Sequence, residues 1–131
     1  MITAYLDASA LLKLTVSERE SLALIDYIEE RNPRIATSVI AEVEVARALQ
    51  RRRIARSDQG DAMRGVYLVN LDADVRLKAM RLEPQLLRAL DAIHVATAAT
   101  IGEDDLEFIT YDDRMAAAAR EQGLKVVQPG C

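Results

Sequence analysis

Hydrophobic and polar positions along the chain switch between two periods, one suited to strands and one to helices. Ile2-Thr3-Ala4-Tyr5-Leu6 is a short, mostly apolar run that predicts a buried strand, and it ends on Asp7-Ala8-Ser9 before Ala10-Leu11-Leu12-Lys13-Leu14 turns helical. Ser17 followed three residues later by Glu20 reads as a capping box for a helix to about Arg31, with Leu22, Leu24, Ile25 and Ile28 as its apolar stripe. Asn32-Pro33 breaks it, Arg34-Ile35-Ala36-Thr37 predicts a second strand, and Ser38 caps a helix from Val39 to about Arg52. Ser57 is expected to open a short helix with Gly60 and Gly65 near its middle and end, and Val66-Tyr67-Leu68-Val69 is a third strand. Asp72-Ala73-Asp74 starts a helix to about Leu82, which Glu83-Pro84 interrupts. Leu86 to Leu90 then leads into the Ala-rich helix of Asp91 to Ala99. Leu106 to Thr110 is a fourth strand followed by Tyr111-Asp112-Asp113, Met115 to Gln122 is a helix stopped by Gly123, and Leu124 to Val127 is a last strand.

Strands alternating with helices predict a parallel sheet with right-handed crossovers and helices on both faces. The fold expected is therefore α/β, a three-layer α/β/α sandwich around a central parallel sheet. No repeat, linker or low-complexity stretch divides residues 1–131, so a single domain is expected. In such sheets ligands bind in the crevice outside the carboxyl ends of the strands. Asp7 and Asp112 each follow a strand, and helix starts nearby bring Glu42 and Asp91 toward the same crevice. Glu42 shares a helix side with Val39, Val45, Ala46 and Leu49, whereas Glu44 points elsewhere and can pair with Arg47. Taken alone, Asp7 reads equally well as a helix cap.

Composition narrows the chemistry. A single cysteine, Cys131, forms no internal disulfide and has no zinc-type neighbours, which fits a reducing cytoplasm. No apolar run reaches the roughly 20 residues of a membrane span, and no signal peptide is visible. The net charge of −4 excludes a protein that holds nucleic acid by broad electrostatic attraction, unless several acids bind metal. The arginines of Arg51-Arg52-Arg53-Ile54-Ala55-Arg56 read first as a solvated helix end and second as a phosphate contact.

Four carboxylates in one cleft repel one another and need protons or a cation. An all-oxygen site with no cysteine and one histidine selects Mg²⁺ or Mn²⁺, ions that orient a phosphodiester and activate water. The hydroxyls of Ser9 and Thr110 are placed to support such a site.

Asp7-Ala8-Ser9-Ala10-Leu11, Ala41-Glu42-Val43, Leu90-Asp91-Ala92-Ile93-His94-Val95-Ala96-Thr97-Ala98 and Thr110-Tyr111-Asp112-Asp113-Arg114-Met115 follow one another in a distinctive order. In order and spacing, over the whole chain, these segments resemble the PIN-domain nucleases, among them the VapC toxins of type II toxin-antitoxin modules. The resemblance implies a PIN-like sandwich and an Mg²⁺- or Mn²⁺-dependent endoribonuclease whose metal site is Asp7, Glu42, Asp91 and Asp112. It implies cleavage by metal-activated water that leaves a 5′-phosphate and a 3′-hydroxyl. It also implies a cognate antitoxin partner and a toxin homodimer. Asp112 is favoured over the adjacent Asp113 because it directly follows the strand and Tyr111. His94 reads as packed against the sheet rather than as a general base, Arg114 as an exposed arginine or an RNA phosphate contact, and Tyr5 and Tyr111 as half-buried structure rather than base-stacking platforms. The Leu22 to Ile28 and Val39 to Leu49 segments are expected to dock the antitoxin.

Two other classes compete. A receiver-type signalling domain would use Asp7, Asp72 and Thr110, but it needs an acid at position 8, which is Ala8, and a lysine ending the last strand, where Lys125 instead begins it. A catalytically silent, PIN-like protein-binding module is disfavoured by the presence of all four acids.

Overall fold

The computed structural model describes residues 1–55 and 63–131. In chain order the elements are β1 (Thr3–Leu6), α1 (Ala8–Thr15), α2 (Ser21–Arg31), β2 (Arg34–Ser38), α3 (Val39–Arg51) and β3 (Tyr67–Val69). They continue with α4 (Ala73–Met80), α5 (Ala89–Ile101), β4 (Glu107–Ile109), α6 (Asp113–Glu121) and β5 (Lys125–Val127). The helix expected to open at Ser57 and run through Gly60 lies outside the described residues; Gly65 sits in a turn with φ of 75°.

The five strands form one parallel sheet in the order β3-β2-β1-β4-β5. The α/β/α sandwich expected from the sequence is what the chain adopts. Side chains alternate across the strands, so Ala4, Leu6 and Ile109 pack with Leu11, Leu24, Val45 and Leu49 on one face. Tyr5 and Phe108 pack with Val95, Leu106, Met115 and Ala119 on the other. Tyr5 stacks on Phe108 with ring centroids 5.3 Å apart. The chain leaves β1 toward β2 and β3 and returns to β4 on the other side, so the order reverses between β1 and β4. Asp7 and Thr110 directly follow those two strands, at the switch point where α/β sheets bind ligands.

Several local expectations change. No capping box forms at Ser17 and Glu20. Glu20 adopts a left-handed φ of 65° and its carboxylate pairs with Lys13 Nζ at 2.9 Å. Ser21 closes the turn instead, its hydroxyl accepting from the Glu18 N–H and donating to the Val16 carbonyl. Tyr5 is wholly buried rather than half-buried. Much of the apolar surface assigned to a partner is core: Leu24, Val45 and Leu49 are buried, while Leu22 and Val43 remain exposed.

Candidate active site

Asp7 caps α1, one of the two readings left open by the sequence, and its other carboxylate oxygen is bonded across to the turn after β4. Its Oδ1 accepts from the Ala10 N–H at 3.0 Å and from the Ser9 hydroxyl at 2.7 Å, and its Oδ2 accepts from the Thr110 hydroxyl at 2.7 Å. The same two hydroxyls accept from the turn after β4, Ser9 from the Tyr111 N–H and Thr110 from the Asp112 N–H. One Asp-Ala-Ser turn and one Thr-Tyr-Asp turn are thereby stitched together, which fixes the relative placement of Asp7 and Asp112. Asp112 caps α6, its Oδ1 accepting from the Arg114 and Met115 N–H groups.

Asp91 lies in the first turn of α5. All three aspartates thus stand at helix amino termini, where the macrodipole favours negative charge. That favour does not cancel their burial and mutual repulsion. Burial pushes the Asp7 carboxyl above its ordinary range, against the opposing influence of His94 and three hydrogen bonds. Asp91 is also raised, first by burial and then by repulsion from Asp112 and Asp7, with His94 and Arg88 acting in the other direction. Asp91 therefore feels the charge of both other aspartates.

Glu42 makes no hydrogen bond or ion pair among the described residues. It is exposed in the first turn of α3, and two helical residues project about 200° apart, so Glu44 occupies the opposite flank. Glu44 Oε1 lies 2.7 Å from His94 Nε2, three residues beyond Asp91 on α5. The expected Glu44–Arg47 pair is thus replaced by Glu44–His94. Glu44 is an acid that the sequence reading did not assign to the site, and the structure bonds it to His94 on the helix that carries Asp91.

His94 is buried, as expected, and bonded at both ring nitrogens. Nδ1 meets the Tyr5 hydroxyl at 2.7 Å, and that hydroxyl accepts from the Ser38 N–H at 3.2 Å. An ionised Glu44 only accepts, which places a proton on Nε2; in the neutral ring, Nδ1 then accepts from Tyr5. The chain Ser38–Tyr5–His94–Glu44 sets the direction in which Glu44 points.

The donor set is oxygen only, which suits a hard divalent cation. Among the described residues, no group of three or more His, Cys, Asp or Glu side chains stands ready to hold a metal ion directly. What the arrangement fits is a hydrated Mg²⁺ or Mn²⁺, since Mg²⁺ keeps several waters and takes only one or two carboxylates.

Comparison with known proteins identifies the family and supports the fold. The family model described as PIN domain matches residues 4–121. Ribonuclease VapC46 of Mycobacterium tuberculosis is 44% identical over 130 residues, covering 98% of this chain and 99% of that one. A toxin-antitoxin complex from Klebsiella pneumoniae superposes with a TM-score of 0.70 at 25% identity over 95% of each chain. Mycobacterium tuberculosis VapC20, described as a sarcin-ricin loop cleaving toxin, superposes with a TM-score of 0.70 at 19% identity, over 88% of this chain and 94% of that one.

Proposed function

The chain belongs to the PIN-domain family, and from that premise we propose that it is a ribonuclease of the VapC type, the toxin of a type II toxin-antitoxin module. The finer proposal is a divalent-metal-dependent endoribonuclease in which Asp7, Glu44, Asp91 and Asp112 hold Mg²⁺ or Mn²⁺ directly or through water. Glu44 takes the place first given to Glu42. The observation that carries this reading is that Asp91 feels the charge of Asp112 and of Asp7, which follow the strands on either side of the sheet's switch point, while none of the three has an ion-pair partner among the described residues.

When bound, the ion supplies charge neutralisation and activates water for attack on phosphorus. The chain's own groups supply position. Ser9 and Thr110 hold both oxygens of Asp7, and the amino termini of α5 and α6 present Asp91 and Asp112. His94 aims Glu44, which either meets the ion or orients the attacking water.

The proposed partner is a cognate antitoxin that places a basic side chain among the same unpaired acids, so that inhibitor and metal compete for one charge deficit. A homodimer is proposed as well, with Met80 and Leu86 supplying exposed apolar surface at 73% and 96%. No described helix is long and apolar enough to cross a membrane.

The test is cleavage of a mixed cellular RNA pool by the purified chain in Mn²⁺, in Mg²⁺ and in EDTA, with Asp91→Asn alongside. Discrete fragments that need metal and vanish in the variant are expected. Cleavage that survives both EDTA and Asp91→Asn would refute the proposed site.

A further inference from the structure

Beside the acidic cleft a cavity of about 460 Å³ opens between α3 and the start of α5. It is lined by Ile40, Val43, Glu44, Arg47, Arg51 and Leu90. Arg47 and Arg51 are one helical turn apart, and both are exposed. Because Glu44 turns inward to His94, Arg47 has lost the acid that sequence spacing offered it. Arg47 and Arg51, like most of the described arginines, sit in no ion pair, but these two are the cations that line this cavity. Between these cations and the mouth of α5 lie Val43 and Leu90, 63% and 48% exposed.

We propose that this cavity is a subsite for one nucleotide of single-stranded RNA beside the scissile bond, with the two phosphates that flank it on Arg47 and Arg51 and the base against Val43 and Leu90. The inference rests on the nuclease reading and extends it to substrate recognition. With a net charge of −4, brought only toward zero when the cleft acids bind metal, the chain has no bulk positive charge to gather RNA, so its anchoring must be local. The volume lies in the range of small-ligand sites, and unpaired bases are read by packing against flat or apolar side chains. RNA supplies an anion for each unpaired arginine. A second protein chain laid over the cavity would instead have to strip water from both, at a cost that apolar contact with two side chains does not offset.

The test measures binding and turnover separately. Anisotropy of a short, labelled single-stranded RNA of mixed sequence is titrated with Asp91→Asn and with Asp91→Asn carrying Arg47→Gln and Arg51→Gln, in Mn²⁺ and at several salt concentrations. Loss of both arginines is expected to raise Kd about 10-fold or more and to lower the slope of log K against log salt by about 1.4, or about 0.7 for each phosphate contact. In the otherwise wild-type chain the same pair of changes should raise KM for RNA and leave kcat within a few-fold. An unchanged Kd and slope overturns the subsite. So does a wild-type dimer in light scattering that Val43→Asp and Leu90→Asp dissolve, because a second copy would then fill the cavity. A chain that binds through these arginines but never cleaves keeps the subsite and defeats the nuclease reading. One that cleaves with unaltered KM does the reverse.

Discussion

Asp7 and Glu107 are both buried carboxylates, 2% and 1% exposed, associated with neighbouring strands of the same sheet, yet they are supported in opposite ways. Glu107 carries its own compensation. Its Oε1 accepts from the Tyr27 hydroxyl at 2.5 Å, and its Oε2 has Lys125 Nζ at 3.2 Å and Arg31 Nη1 at 4.0 Å as ion partners, neither aligned as a hydrogen bond. Parallel pairing places Lys125 directly beside it on β5, and the Tyr27 hydroxyl is pushed up to about 12, by burial and then by the Glu107 carboxylate. Asp7 receives only neutral donors from Ser9, Ala10 and Thr110, and the acids Asp91 and Asp112 stand in the same charge network. A structural carboxylate is completed by cations of its own chain. A carboxylate left with repulsion and no ion pair is completed from outside, by metal or by a basic side chain of a partner.

The sharpest way to break this contrast is to neutralise one acid on each side of it. Asp91→Asn is expected to lower RNA cleavage by about 100-fold or more, since it removes charge that the ion needs, while leaving the fold at least as stable as wild type. Glu44→Gln should lower cleavage by a comparable factor and Glu42→Gln should leave it unchanged, a direct comparison of the two flanks of α3. Near-equal losses from Glu42→Gln and Glu44→Gln would remove the assignment of Glu44.

Glu107→Ala should do the opposite. It leaves the Tyr27 hydroxyl without its acceptor and opens a buried gap, at a cost of about 2–3 kcal/mol, because Lys125 and Arg31 are exposed enough to recover water. Urea unfolding should show that loss with metal affinity unaltered. A drop in Mn²⁺ affinity in calorimetry would instead join the two regions. Mn²⁺ itself, at about 100 times its Kd, should stabilise the wild-type chain by about 2.7 kcal/mol and Asp91→Asn by far less.

How much of this was readable in advance follows from how local each feature is. Asp7 and Asp112 follow apolar strands, and Asp91 opens an Ala-rich helix, so the three aspartates were visible from strand and helix signals alone. Glu44 was not. Glu42 and Glu44 both border the buried stripe of Ala41, Val45, Ala48 and Leu49, and periodicity does not say which border faces α5. That choice is made by packing across the sheet, where His94 meets Glu44. The capping box at Ser17 failed for a similar reason: Lys13 on the preceding helix takes Glu20, and Ser21 supplies the local turn. The Glu107–Lys125 pair depends on strand register, which no local pattern encodes. The stitching role of Ser9 and Thr110 was half visible, since the hydroxyls were placed near the site but the bonds of Ser9 to Tyr111 and of Thr110 to Asp7 need β1 and β4 to be neighbours.

The smallest expected effect is also the one that separates the two carboxylates by sign. Burial raises Asp7 and Asp91 above their ordinary value of 3.8, so the folded, metal-free chain holds their protons more tightly than the unfolded chain does. Their contribution to stability is therefore present at low pH and lost as pH rises through the folded values. Lowering the pH from neutral should stabilise the metal-free wild type relative to Asp91→Asn by a few degrees in Tm, until the unfolded carboxylates also protonate near 3.8. Other acids in the chain titrate in both proteins and cancel in that difference. With Mn²⁺ bound the sign should invert, because protons then compete with the ion for the same oxygens. A metal-free difference that stays flat with pH would mean that Asp91 is already compensated as Glu107 is, and the contrast between the two ends of the sheet would disappear.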